Sequence, residues 1–443
     1  MRKIIKNSKI IIVIIIISLI SLILPPVALA KGGSGSDIYP QQSQTRDPQL
    51  DSLFNALTTL NQSTPSTSFW THLWGDEVDK TAKKRINLLI DISSQLRISH
   101  PDSALHYAQQ ALQLAEEMKY SNGIANSFNN IGVINRHKGN YDQALKYFLD
   151  ALEIQRELND RRGIGNSLNN IGIVYYSLGE YDQSLKYYLS ALEIKRELNN
   201  KRSIAKNLNN IGGVYWNLGE YDQALKYLLE AFEIRRELND KRGIAGSLNN
   251  IGAIYYDLGE YDQALKYYLE SFEIRLKLED RMGFASNLSN IATIYYERAE
   301  QYSSEGMADS AALYYQKCME YDKQSLKIRK EIGNRRGIAI SLNNIGETYV
   351  TLGQTDSAIA YFNNSLAISK DIGDKHTTMA VSENLAGVYA QSAKHIKQSG
   401  GSHALSAKRL AQAYEYHVQF AIYRDSVFNE EKSKEIGALE AKW

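Results

Sequence analysis

The sequence predicts an all-α solenoid of about eight helix pairs, and three observations carry that expectation. First, between Asn122 and Arg281 one passage is written four times at a fixed period of 40 residues. Leu168-Asn169-Asn170-Ile171-Gly172 returns as Leu208-Asn209-Asn210-Ile211-Gly212 and as Leu248-Asn249-Asn250-Ile251-Gly252, after an opening Phe128-Asn129-Asn130-Ile131-Gly132. Tyr141-Asp142-Gln143-Ala144-Leu145-Lys146-Tyr147 likewise returns at 181, 221 and 261, with one Ala-to-Ser change. Second, apolar residues within each copy recur at i, i+3 and i+7, the spacing of one helix face. Third, the 443 residues include only six Pro, few of them in the repeats, as a nearly all-helical body requires.

Composition excludes several function classes. Fifty-one Lys+Arg against 50 Asp+Glu leave a net charge of +1, so no global field draws the chain to nucleic acid. Cys318 is the only cysteine, which rules out an intrachain disulfide and a thiolate metal cage. It reads as a small buried apolar residue.

The first thirty residues differ from the rest. Arg2, Lys3, Lys6 and Lys9 form a basic start, Ile10 to Leu24 an apolar run, and Ala28-Leu29-Ala30 a small-residue cleavage site. This is the pattern of an export signal over 1–30, cleaved after Ala30. The run is shorter than the ~20 residues of a spanning helix, and an uncleaved N-terminal anchor is the alternative. The mature chain is then expected outside the cytoplasm, periplasmic or extracellular. Residues 31–79 read as a flexible lead-in, with a Gly/Ser linker at 31–36 and a Ser/Thr/Pro-rich stretch at 61–68. A short helix is expected at 51–57, and Phe69, Trp70 and Trp74 are expected to cover the first repeat.

The repeats follow over 80–425. The opening unit, near 80–120, is degenerate. Its second helix is in register, but its first fits only with a slip of one that aligns Leu89, Ile92, Ser93 and Leu96 with the repeat positions. Full units lie near 122–160, 162–200, 202–240 and 242–280. Within one, an A helix from about Gly163 to Leu178 presents Leu168, Ile171 and Tyr175 on one face. Gly172 shares that face. A helical Gly costs ~1 kcal/mol against Ala, so its recurrence predicts close approach of two backbones. Gly179 supplies a left-handed cap. A B helix from about Tyr181 to Leu198 buries Leu185, Tyr188, Ala191, Leu192 and Ile194. It leaves Lys186, Glu193, Lys195, Arg196 and Glu197 on a solvated outer face.

These residues resemble the tetratricopeptide repeat. Its Leu-Gly, the Tyr three residues on, and the small, aromatic and small residues of the second helix fall here on Ile171-Gly172, Tyr175, Ser184, Tyr188 and Ala191. The next unit has Ile211-Gly212, Tyr215, Ala224, Leu228 and Ala231. The 40-residue period is similar to the longer repeats of kinesin light chains. The resemblance implies a right-handed α-solenoid whose A helices line a concave wall that binds a protein or peptide segment.

After Arg281 the pattern loosens. Asn290 to Asn344 spans 54, or 40 plus 14, which predicts two extra turns on each helix of a unit at 282–334. A unit of normal spacing follows at 337–374, and a last one at 377–425 carries an extra turn at Ser399–Ser402 and a long B helix. The tail 426–443 reads as the start of a C-terminal helix or coiled coil. It is similar to the exported sensor region of Bacteroidetes-type membrane signalling proteins of the histidine kinase or transcriptional regulator type. A truncated input region of such a sensor, cyclase outputs included, is therefore the alternative function. Self-association through the C-terminal helix is a third reading, and membrane association is expected only through an uncleaved N-terminus or a missing C-terminal span.

No catalytic constellation stands out. The eight His are scattered, no nucleophile elbow or phosphate loop occurs, and neither metal nor cofactor is expected, so the chain reads as no enzyme. The patterned polar feature is Asn at one A-helix position: Asn130, Asn170, Asn210, Asn250, Asn290, Asn344 and Asn384. With one acceptor and two donors, an Asn ladder suits the backbone of an extended peptide, and equally suits bonds between neighbouring repeats. A second stripe, Tyr176, Trp216, Tyr256 and Tyr296, reads either as an aromatic groove floor or as packing between repeats. The position after it varies through His137, Ser177, Asn217, Asp257, Glu297 and Thr351, a row that would set ligand specificity.

Overall fold

The computed structural model describes residues 48–63 and 67–440, with side-chain environments for 48–60 and 80–426. The expected export signal, the Gly/Ser linker and the covering side chains Phe69, Trp70 and Trp74 lie outside what is described. The described residues form seventeen helices and no strand. None of these helices is long and apolar enough to cross a membrane.

The chain divides into two compact units at Tyr107/Ala108. The first holds α1 (Pro48–Ser63), α2 (Thr67–Leu96) and the start of α3 (Pro101–Glu117). Helix α1 contains the short helix expected at 51–57. The one-residue slip is visible in α2, where Leu89, Ile92, Ser93 and Leu96 are all buried. Ser93 Oγ donates to the Ala104 carbonyl at 2.6 Å.

From Ala108 onward the end of α3 is followed by seven antiparallel hairpins, each packed on the next. They are α4 (Ser121–His137) with α5 (Tyr141–Glu157), α6 (Arg161–Ser177) with α7 (Tyr181–Glu197), and α8 (Lys201–Asn217) with α9 (Tyr221–Glu237). Then come α10 (Lys241–Asp257) with α11 (Tyr261–Lys277), and α12 (Arg281–Ser304) with α13 (Ala308–Glu331). Last are α14 (Arg335–Thr351) with α15 (Thr355–Asp371), and α16 (Lys375–Gln398) with α17 (His403–Glu440).

Turn chemistry fixes the phase of the stack. Each A helix of the regular units ends at a glycine with positive φ, as at Gly179 (79°), and Glu180 N–H returns to the Tyr175 carbonyl at 2.9 Å. The return turn uses Asn159, Asn199 and Asn239 at φ 52°, 48° and 50°, a left-handed conformation that Asn tolerates. The next residue then caps the following helix. Asp160, Asn200, Asp240, Asp280 and Asn334 accept from the backbone N–H three residues on, at 3.0–3.1 Å.

Between the helices, Ile131, Ile171, Ile211, Ile251, Ile291 and Ile345 are almost wholly buried. Tyr175 stacks on Tyr187, Tyr215 on Tyr227 and Tyr255 on Tyr267, each at 5.4 Å between ring centroids. The recurrent A-helix glycine has a different cause from the close backbone approach expected of it. A Cβ on Gly172 would stand 2.7 Å from the Tyr188 ring, and one on Gly212 the same distance from Leu228 Cγ. The glycine seats a bulky B-helix side chain. Helix backbone is secondary there, the Ala224 carbonyl standing 3.3 Å from a Cβ placed on Gly212.

The 14 extra residues are shared as expected. Helices α12 and α13 have 24 residues each against 17 in the regular helices. Helix α16 also has 24, a lengthening not anticipated, and α17 runs 38 residues as one helix through 403–440.

Candidate functional site

Asn210 and Asn250 come together with Tyr176 and Trp216 around one cavity of about 310 Å³. Ile173, Tyr188, Asn209, Gly213 and Leu228 complete its lining, so the A helices of three successive units contribute, with B-helix side chains behind. Asn130, Asn170, Asn290, Asn344, Asn384, Tyr256 and Tyr296 occupy the same register positions elsewhere in the array and do not line this cavity.

The asparagines form a ladder between repeats. Asn210 Nδ2 donates to Asn169 Oδ1 at 3.4 Å, Asn250 to Asn209 at 3.1 Å, Asn290 to Asn249 at 2.9 Å and Asn384 to Asn343 at 3.0 Å. Every rung runs from the second Asn of one unit to the first Asn of the unit before. Two rungs are missing among the described residues: at Asn170, where Asn129 Oδ1 accepts from Ser167 at 3.0 Å instead, and at Asn344, where Ser289 replaces the acceptor amide, its hydroxyl being bonded to Ser325 at 3.0 Å. Among the described residues no donor reaches Oδ1 of Asn210 or Asn250, so each of these two lining residues keeps a spare amide acceptor.

The aromatic stripe is also tied across units, and to the variable row. Tyr176 Oη accepts from Asn217 Nδ2 at 2.7 Å, Trp216 Nε1 donates to Asp257 Oδ2 at 2.5 Å, and Tyr256 Oη donates to Glu297 at 2.9 Å. Tyr296 meets Thr351 at 2.9 Å. The row read as a specificity determinant therefore varies in step with its aromatic partner. Indole N–H only donates and faces a carboxylate, whereas a phenol either donates or accepts and tolerates Asn, Glu or Thr. Burial, with Glu297 beside it, raises the Tyr256 pKa above the ordinary tyrosine value.

One row escaped the sequence reading. Lys195, expected on the outer face, is 6 % exposed. Its Nζ donates to Asn169 Oδ1 at 3.0 Å, and burial, with Lys206 nearby, lowers its pKa to about 8. Arg235 takes the same place one unit on, with Nη1 at 3.0 Å from the Gly243 carbonyl, 2.6 Å from Ser247 Oγ and 3.5 Å from Asn209 Oδ1. Arg329 repeats the pattern with Gly337 and Ser341, both at 2.9 Å. The signal was present, because Lys195 follows Tyr188 by seven and Ala191 by four, in phase with the buried face. A long cation reads as solvated unless that phase is followed. The rest of the outer face is as expected, with exposed pairs such as Lys201–Glu237 at 2.7 Å.

Comparison with known proteins places the fold. The tetratricopeptide repeat family profile matches residues 123–197, 203–277, 243–324, 315–371 and 337–397, together more than half of the chain. No curated protein matches the chain. A signal-transduction ATPase with numerous domains and a tetratricopeptide repeat sensor, from Pyrococcus horikoshii, is similar in structure at 15% identity and a TM-score of 0.56. That match covers 88% of this chain and 55% of the archaeal one. The apo form of the quorum sensor NprR from B. thuringiensis matches at 18% identity and a TM-score of 0.51, over 85% and 97% of the two chains. Aspartyl phosphate phosphatase F from Bacillus subtilis matches at 13% identity and a TM-score of 0.51, over 86% and 96%. With its hairpins, glycine seats and capped turns matched along this length, the chain belongs to the tetratricopeptide repeat family.

Proposed function

We propose that the chain is a non-catalytic scaffold whose A-helix groove binds an extended peptide or protein segment outside the cytoplasm, as the input of a signalling process. The observation that carries this is the cavity at Tyr176, Asn210, Trp216 and Asn250, where apolar surface and open amide acceptors face the same space. An extended backbone presents an N–H donor at every residue except Pro, so amide acceptors repeated along a groove suit it whatever its sequence. The likeness to a quorum sensor agrees with a sensory role, and the basic-then-apolar residues 1–30 support export. The tail from Arg424 supports the alternative of an input region for a membrane-bound output.

The test is a selection of random dodecapeptides on the purified mature chain, followed by anisotropy titration of the enriched peptides. Joint replacement of Asn170, Asn210 and Asn250 by Ala is expected to weaken binding by more than about tenfold, each lost hydrogen bond contributing roughly 0.5–1.5 kcal/mol. Replacement of the outer-face residues Lys186 and Glu193 leaves it unchanged. Failure to enrich any peptide, or equal binding by the folded triple variant, refutes the reading.

A further inference from the structure

We infer that Gly213 opens a specificity pocket that receives one bulky apolar side chain of the bound segment, with an acidic residue of that segment lying toward Asn209. This rests on the groove reading above and names what the groove selects.

Two glycines stand side by side in α8, and only one is needed by the fold. Gly212 is crowded by Leu228. A Cβ on Gly213 would meet nothing within 4 Å, its φ is not left-handed, and it sits inside a helix where Gly costs ~1 kcal/mol against Ala. No turn or close approach accounts for it. In the neighbouring units the same register position carries Val133, Ile173, Ala253 and Thr293. The side chain missing at unit four is the reason the cavity lies there, since Gly213 is part of its lining.

The walls specify the guest. Tyr176, Trp216, Tyr188, Leu228 and Ile173 offer ring faces and aliphatic surface, which favour a large apolar group over a polar one. Behind the Asn209 side stands the partly buried Arg235, bonded to neutral acceptors and partly offset by Asp240. Lys195 stands one unit earlier on a neutral amide. The opposing charge at the mouth is Asp257, an exposed carboxylate already holding the Trp216 indole. Exposed charge is screened by solvent and buried charge much less so, which leaves the Asn209 side electropositive. A carboxylate beside the apolar anchor is its complement.

The experiment repeats the random dodecapeptide selection on the natural chain and on Gly213→Ile, which restores the side chain that unit three carries. The natural chain is expected to enrich peptides sharing one Leu, Phe, Met or Trp position next to Asp or Glu. Gly213→Ile is expected to lose that enrichment and to bind the selected peptides at least about tenfold more weakly, with unchanged helicity, while Gly213→Ala falls between. Replacing the shared apolar residue by Ala in the peptide should weaken binding to the natural chain by a similar factor and have little effect on Gly213→Ile. Selected peptides without a common bulky position, or equal binding by both proteins, overturn the pocket. In that case binding that still depends on Asn170, Asn210 and Asn250 leaves the groove reading standing. No peptide enriched by either protein overturns both.

Discussion

At the residue scale the interior works by reciprocity between one A-helix and one B-helix position. Gly132 faces Phe148, Gly172 faces Tyr188, Gly252 faces Tyr268 and Gly346 faces Phe362. In the elongated unit the glycine becomes Ala292. The ring position, next to the stacked Tyr321, becomes Asp322, which is 2 % exposed and has no partner for Oδ1. Gly172→Ala is therefore expected to destabilise the protein by ~1–3 kcal/mol through overpacking against Tyr188. Gly213→Ala, with open space around it, should stabilise it by ~0.5–1 kcal/mol. Urea titration of the two variants distinguishes these signs. Burial pushes the Asp322 pKa from 3.8 up to about 7, opposed in part by Arg329. Because the folded value lies above the unfolded one, the stability contributed by the neutral acid is full below about pH 4 and is lost as pH rises through 7. Asp322→Asn should flatten the fall in melting temperature between pH 5 and pH 8, and parallel profiles would contradict this.

At the element scale, what makes each 17-residue segment a separate helix is its two ends more than its middle. The propensities of Asn, Tyr and Ile in α10 are middling and that of Gly is poor, and the helix is held by packing and by the Asp240 cap on Gly243 N at 3.0 Å. Asp240→Ala is expected to cost about 1 kcal/mol, measurable as a shift in the urea midpoint at constant slope. The same ends explain the ladders. Regular helices of equal length and identical turns keep every A-helix position 40 residues from its counterpart. A side chain on one helix can then address the helix before it, as Asn250 does Asn209. Across the lengthened α12 and α13 the aromatic tie still forms, from Tyr296 to Thr351 over 55 residues, while the Asn rung is lost to Ser289 in the acceptor's place.

At the scale of the whole molecule the array is a one-dimensional stack in which most contacts join neighbouring helices. Helix α17 also touches α5. Deleting residues 201–240, one whole period, should leave a folded protein with the Asn ladder in phase, a cooperative melt and a smaller urea slope. Deleting only 201–220 removes one helix of a pair and should unfold its neighbours, as circular dichroism would show. Equal tolerance of the two deletions would refute the unit boundaries.

Much of this was legible in the chain. The helical class, the phase of the repeats, the capping Gly and Asn and the division of the 14 inserted residues all followed from the sequence, because they are local or periodic and a period repeats its own evidence. The Asn and aromatic stripes were legible as candidates, with ligand contact and ties between repeats both left open. Whether Asn210 turns to a ligand or to Asn169 depends on the distance between two helices 41 residues apart, which no spacing along one helix contains. The phase that buries Lys195 and partly buries Arg235 was in the sequence, but what their head groups bond to, and the empty place above Gly213, belonged to the tertiary structure alone. Burial and emptiness are properties of what surrounds a residue, and a solenoid supplies those surroundings from the units before and after it.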